Sequence, residues 1–161
     1  MSTQTSQAQK DIQLLVFKLD EQEYALEIAN VVQTVRMAAI QPIPAAPPHV
    51  AGVLNWRGQV IPVLNLRQRL GLAPRPVDLD TQLLIARVKD RTVALIVDAV
   101  SEVLSLPTTC LAPPEKIGAR LDALTAVGKL GERLLLILDQ NILLVDDRKI
   151  PSSLPTAEIL R

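Results

Sequence analysis

Aromatic side chains are almost missing from this sequence. Phe17, Tyr24 and Trp56 are the single Phe, Tyr and Trp in 161 residues. Platforms for stacking bases are therefore scarce, which argues against a single-stranded nucleic-acid binder. Net charge is missing as well. Seventeen Lys and Arg balance 17 Asp and Glu, so no one-signed field draws phosphate backbones or anionic lipid. Cys110 is the one cysteine, which excludes an intrachain disulfide and a thiolate metal cage and fits a reducing compartment. The six glycines are scattered, and no phosphate-cradling loop is formed. No uncharged apolar run reaches the ~20 residues that span a bilayer, and Met1 to Asp11 carries no apolar signal region. The expectation is a soluble, cytoplasmic protein with no nucleic acid, no membrane insertion, no metal and no cofactor.

What is present is aliphatic. Hydrophobic residues make up 48% of the chain, so branched side chains must fill a core by shape. Residues 12–19 read as a strand, 20–23 as a turn and 24–28 as a second strand, together a hairpin. Ile28, Val31, Val32 and Val35 follow helical spacing and predict a short amphipathic helix over 28–35. The prolines between Gln41 and His49 impose an extended loop. Residues 53–54 and 60–66 predict strands around Arg57-Gly58, with Pro62 marking an edge or a bulge. Arg67 to Leu72 reads as a helical turn stopped at Gly71. A second hairpin is predicted from 82–88 and 93–97, continued by Val100, Val103 and Leu104. Strands at 121–130 and 134–138 and a helical turn at 140–145 complete the pattern. Residues 1–11 and 146–161 read as loosely held tails flanking a domain at 12–145.

The chain also repeats itself. At a fixed shift of 69, Leu15 meets Leu84, Val16 meets Ile85, Tyr24 meets Val93, Ala25-Leu26 meets Ala94-Leu95, and Val31 meets Val100. Gly58 meets Gly131 at a shift of 73. Two β units, starting near 12 and 82, are too small to be comfortably stable apart. They are expected to pack around a shared core and to hide their edges by closing.

Three stretches, in order, carry a family resemblance: Gly52-Val-Leu-Asn-Trp-Arg-Gly58 with Val60-Ile-Pro-Val-Leu-Asn-Leu-Arg67 and Arg69-Leu-Gly71; Val93-Ala-Leu-Ile-Val-Asp-Ala-Val-Ser-Glu-Val103; and Leu124-Thr-Ala-Val-Gly-Lys-Leu-Gly131. Over about residues 12–145 the chain resembles the CheW-like chemotaxis coupling proteins. The resemblance implies a mostly β fold of two SH3-like five-stranded barrels packed pseudo-symmetrically, with a few short helices. It implies a non-catalytic adaptor joining the cytoplasmic tip of chemoreceptors (methyl-accepting chemotaxis proteins) to the regulatory domain of the CheA histidine kinase. An adaptor of a related pathway, such as twitching motility or another kinase output, is the neighbouring reading. Two positions depart from the family pattern: Thr34 stands where a Glu often follows Val-Gln and pairs with the turn arginine, and Asn65 replaces an Asp.

The candidate partner-binding residues are Arg57, Val32, Thr34, Val35, Met37, Asn55 and Gly58. The Arg57 guanidinium suits bidentate contact with a carboxylate, or a pairing inside the fold with Asp98 or Glu102. Val32, Val35 and Met37 read either as core or as a groove for a partner helix. Gly58 and Gly131 are structural turns. An enzyme using His49 and Cys110 would need both in one pocket, and Ser101 beside Asp98 lacks a nucleophile elbow. A nucleic-acid face would need Arg67, Arg69, Arg75 and Arg87 together.

Overall fold

The computed structural model describes residues 10–114 and 124–139. Of the tail expected over 1–11, residues 1–9 lie outside them, as do 146–161, the helical turn over 140–145 and the strand residues 121–123; Asp11 already belongs to a strand rather than to a tail. Strands β1 (Asp11–Leu19), β2 (Gln22–Glu27) and β3 (Val31–Arg36) are followed by β4 (Val50–Trp56) and β5 (Gln59–Asn65). A one-turn helix α1 (Leu66–Arg69) leads to β6 (Gln82–Val88), β7 (Arg91–Val97) and β8 (Ala99–Pro107), then β9 (Leu111–Ala112), β10 (Leu124–Leu130) and β11 (Arg133–Leu138).

The protein is mostly β, in two sheets. One has the order β3-β6-β7-β5-β4; the other has the order β8-β1-β2-β11-β10-β9, its sixth member being the two-residue β9. Each sheet closes on itself. Beyond β3 the chain turns back, and the Gln41 amide donates to Val53 O at 2.9 Å while the Val53 amide donates to Gln41 O at 2.8 Å, joining the two edges of the five-stranded sheet. Beyond β8 the same manoeuvre, through a 3-10 turn at Thr108–Cys110, lays β9 against β10. Closure removes edge strands that would otherwise template aggregation.

The repeat determines which strands meet. Hairpin β1–β2 joins β8, β10 and β11, while hairpin β6–β7 joins β3, β4 and β5. The two copies have exchanged their first hairpins. Leu15 lies opposite Val103 and Leu84 opposite Thr34, the same pair under the shift of 69. Both exchanged hairpins are buried on two faces, so they read as continuous apolar runs. Leu15, Phe17 and Leu19 face a core shared between the barrels with Leu84, Ala86, Val88, Val93, Leu95 and Val97. Leu14 and Val16 point instead into the six-stranded barrel, and Leu83 and Ile85 into the five-stranded one. Phe17 stacks on Tyr24 at 6.0 Å inside the shared core.

Two expectations need correction. The segment 28–35 is helical only as a 3-10 turn at Ile28–Asn30; Val31 onward is strand. Val31 lies opposite Ala86 and Gln33 opposite Ile85, so Val32 is an extra, bulged residue. Its repeat mate Ser101 is bulged against β1 in the same way. Pro62 is neither at an edge strand nor at the bulge: β5 lies between β4 and β7, and Pro62 immediately precedes the residues that pair with β7.

Candidate functional site

Strands β4 and β5 are joined by the two residues Arg57 and Gly58, between the paired Trp56 and Gln59. Both have positive φ, 53° and 77°, the signature of a type I′ turn matched to the twist of the hairpin. Arg57 takes a left-handed conformation that costs an L-residue about 1 kcal/mol. Gly58 fits without penalty, although a Cβ there would meet open space. Gly131, φ 62°, does the same service at the tip of the β10–β11 hairpin.

The strained turn aims the Arg57 side chain back over its own barrel. Its Cζ lies 4.7 Å from the Trp56 ring centroid, a cation–π arrangement. Its Nη2 donates to Gln33 Oε1 at 2.6 Å. Gln33 belongs to β3 and Arg57 to the turn that follows β4, strands at opposite ends of the sheet order, so barrel closure makes the contact. The internal partners expected for Arg57 are engaged elsewhere: Asp98 by Arg67 and Arg75, Glu102 by Arg133.

Around this contact the remaining candidates separate. Asn55 and Gly58 are exposed with Arg57. Val32, at the bulge, is 43% exposed. Thr34 is half-buried opposite Leu84. Val35 and Met37 are half-buried and, with Ile40, Ala51 and Trp56, pack against the interior of the five-stranded barrel. None of Val32, Val35 and Met37 is fully buried: Val35 and Met37 reach the surface while their inner sides serve the core, and Val32 stands exposed at the bulge. The result is a half-exposed aliphatic patch beside an aromatic ring that carries a guanidinium.

A second polar cluster was not anticipated. Asn65, the departure from Asp, caps α1 by accepting from the Gln68 amide at 3.2 Å. That cap sets Arg67 inside the protein, its side chain 8% exposed. Arg67 donates to Asp20 Oδ1 at 2.5 Å, to Asp98 Oδ2 at 2.6 Å and to Ala73 O at 2.8 Å. Asp98 also accepts from Arg75 at 2.8 Å and from the Asp20 amide at 2.7 Å. Burial pushes the Asp98 carboxyl up, but the Arg67 hydrogen bond, the Asp20 amide and the Arg67 and Arg75 charges outweigh it and hold it below the usual carboxylate range. The Asp98 and Asp20 hydrogen bonds raise the Arg67 pKa further. The network ties the β1–β2 turn of one barrel to the helix after β5 and the end of β7 in the other. The signal for it in the sequence was an arginine closing the apolar run 60–66.

The same geometry removes the nucleic-acid face, because Arg67 is buried in ion pairs and Arg75 is spent on Asp78 and Asp98. His49 and Cys110 do not share a site in the fold. His49 is buried at the entry to β4, its carbonyl accepting from the Asn65 amide at 2.7 Å, whereas Cys110 packs on the interior of the six-stranded barrel. Ser101 stands at an exposed bulge and Asp98 is held by two arginines. Among the described residues no group of three or more His, Cys, Asp and Glu is placed to hold a metal ion.

Two small closed barrels around one core, presenting a fixed hairpin arginine beside an apolar patch, define a scaffold of the double SH3-like type. Comparison with known proteins names the family. Residues 13–148 match the CheW-like domain. The chain is 31% identical to the chemotaxis protein CheW of Klebsiella aerogenes over 79% of this chain and 78% of that one. It is 30% identical to the Helicobacter pylori protein of the same name, with the same shares covered. The crystal structure of the scaffolding protein TtCheW from Thermoanaerobacter tengcongensis superposes with a TM-score of 0.78 at 30% identity, covering 83% of this chain and 92% of that one. The chain belongs to the CheW-like family, and its function is that of a chemotaxis coupling scaffold.

Proposed function

We propose that the chain bridges the cytoplasmic tip of chemoreceptors and the regulatory domain of a CheA-type histidine kinase, and that it contributes position and affinity rather than catalysis. The observation that carries this reading is the Arg57 hairpin. A charged group is held out in a strained turn, stacked on Trp56 and bonded to Gln33, next to the half-buried Val35, Met37 and Ile40. A rigid cation beside an aliphatic patch suits an amphipathic partner segment such as a receptor helix. Two barrels give two surfaces, so weak contacts with two partners add through effective concentration. No described helix is long and apolar enough to cross a membrane, so in this reading recruitment to receptor arrays comes through the receptor.

The test is co-sedimentation of the full chain with receptor fragments and with the kinase regulatory domain. Arg57→Ala is expected to weaken binding to at least one of the two while leaving the chain folded with only a small drop in the unfolding midpoint, since the left-handed backbone penalty is the same for both residues and only an exposed cation–π contact and one hydrogen bond are lost. Wild-type affinity of Arg57→Ala for both partners would sink the reading.

A further inference from the structure

The two barrels treat their hairpin arginines differently. In the six-stranded barrel, Arg133 opens β11 and donates to Glu23 at 3.0 and 2.8 Å and to Glu102 at 2.8 Å. These hydrogen bonds, Glu23 first and Glu102 second, raise its pKa. The Arg133 hydrogen bond in turn lowers that of Glu23 against the effect of burial. Glu102 lies in β8, 69 residues after Gln33 in β3, and is therefore its repeat mate. Each barrel thus ties an arginine of its last hairpin to the same position of its third strand. In one the tie is a carboxylate; in the other it is an amide.

The consequence is electrostatic. Gln33 orients the Arg57 guanidinium through one hydrogen bond but brings no negative charge. Among the described residues Arg57 makes no ion pair. Among the described residues the guanidinium gives one of its five N–H donors to Gln33, which leaves four. Arg36, exposed further along β3, adds a second positive charge on that strand. The site has the orientation that makes arginine–carboxylate contacts strong and lacks the carboxylate.

We propose that this end of the five-stranded barrel receives an acidic segment of a partner protein, whose carboxylate takes the place that Glu102 fills for Arg133. Gln33 sets that requirement: a glutamate there would neutralise Arg57 from within and compete with the partner. The proposal rests on the coupling role above and adds the chemistry of the contact.

The experiment is a titration of the full chain, wild type and variants, with the purified kinase regulatory domain and, separately, with the receptor cytoplasmic fragment, at low and high salt. Gln33→Glu is expected to weaken binding of the partner that contacts Arg57 by about tenfold at low salt and to flatten its salt dependence. Arg57→Ala should do the same, and the double variant should lose no more than either alone. The unfolding midpoint of Gln33→Glu should equal or exceed that of wild type, which separates lost binding from lost fold. If Gln33→Glu binds both partners as tightly as a wild-type chain that does bind, the carboxylate proposal is overturned and the coupling role survives. If the wild-type chain binds neither probe, the coupling role fails and takes this proposal with it.

Discussion

Replacing Arg67 by alanine tests how firmly the two barrels are fastened. Breaking a buried ion pair by removing one partner costs about 3–5 kcal/mol, because the other charge stays buried. Here the stranded group is Asp98, with a side chain 14% exposed. It keeps Arg75 at 2.8 Å and the Asp20 amide at 2.7 Å, so the loss belongs at the lower end, about 3 kcal/mol. Asp20 is 53% exposed and regains water, adding little. Against a typical domain stability of about 5–15 kcal/mol this is a large fraction. Urea unfolding followed by circular dichroism should show one transition, shifted to lower urea with an unchanged slope. Asp20→Asn, which removes only a half-exposed partner, should cost about 1 kcal/mol or less. Acid gives a second view. Asp98 titrates below its unfolded value, so its contribution is complete above pH ~4, the ordinary aspartate range, and disappears as pH falls through the folded pKa. Arg67→Ala should therefore lose less stability than wild type as the pH falls below about 4. A loss under about 1 kcal/mol at neutral pH, or one equal to that of Asp20→Asn, would refute the account of a buried network clamping the barrels.

Two further outcomes follow from the packing. Gly52→Ala should prevent stable folding or cost several kcal/mol, because a Cβ there would clash with Gln41 O, a backbone atom of the closing bridge that cannot swing aside; soluble expression and a thermal melt close to wild type would contradict it. Leu84→Ala removes a fully buried side chain from the shared core and should cost about 2–5 kcal/mol in urea unfolding, without changing binding by the folded fraction.

Much of this architecture could be read from the residues because the hairpins β1–β2 and β6–β7 are short, local and doubly buried, and the shift of 69 carried their register. The misread segment is instructive. A bulge at Val32 inserts one residue into an alternating pattern, and the resulting spacing of Ile28, Val31, Val32 and Val35 imitates a helix. The β-branched residues Val31, Val32, Thr34 and Val35 favoured a strand, but spacing alone concealed it. The candidate site was half legible. Arg57, Asn55 and Gly58 stood out in their turn, whereas the partner of Arg57 did not, because Gln33 reaches it only when the sheet closes. The Arg67 network depends on two turns and a helix meeting between barrels, a juxtaposition of residues 20, 67 and 98 that no local pattern contains.

The exchanged hairpins also impose an order on how the chain emerges from the ribosome. The five-stranded barrel is contiguous from Val31 to Val97 and can close as soon as that stretch is made. Leu15 must wait for Val103, 88 residues later by their numbering, which at 5–20 residues per second is about 4–18 s. During that interval the first-made hairpin carries Leu14, Val16 and Ala25 without the barrel that will bury them. Until then the Leu84 and Leu95 side of the shared core also lacks its cover from the first hairpin. Synthesis thus begins with strands whose own barrel is completed last, and the nascent chain's apolar hairpin is uncovered until that barrel closes.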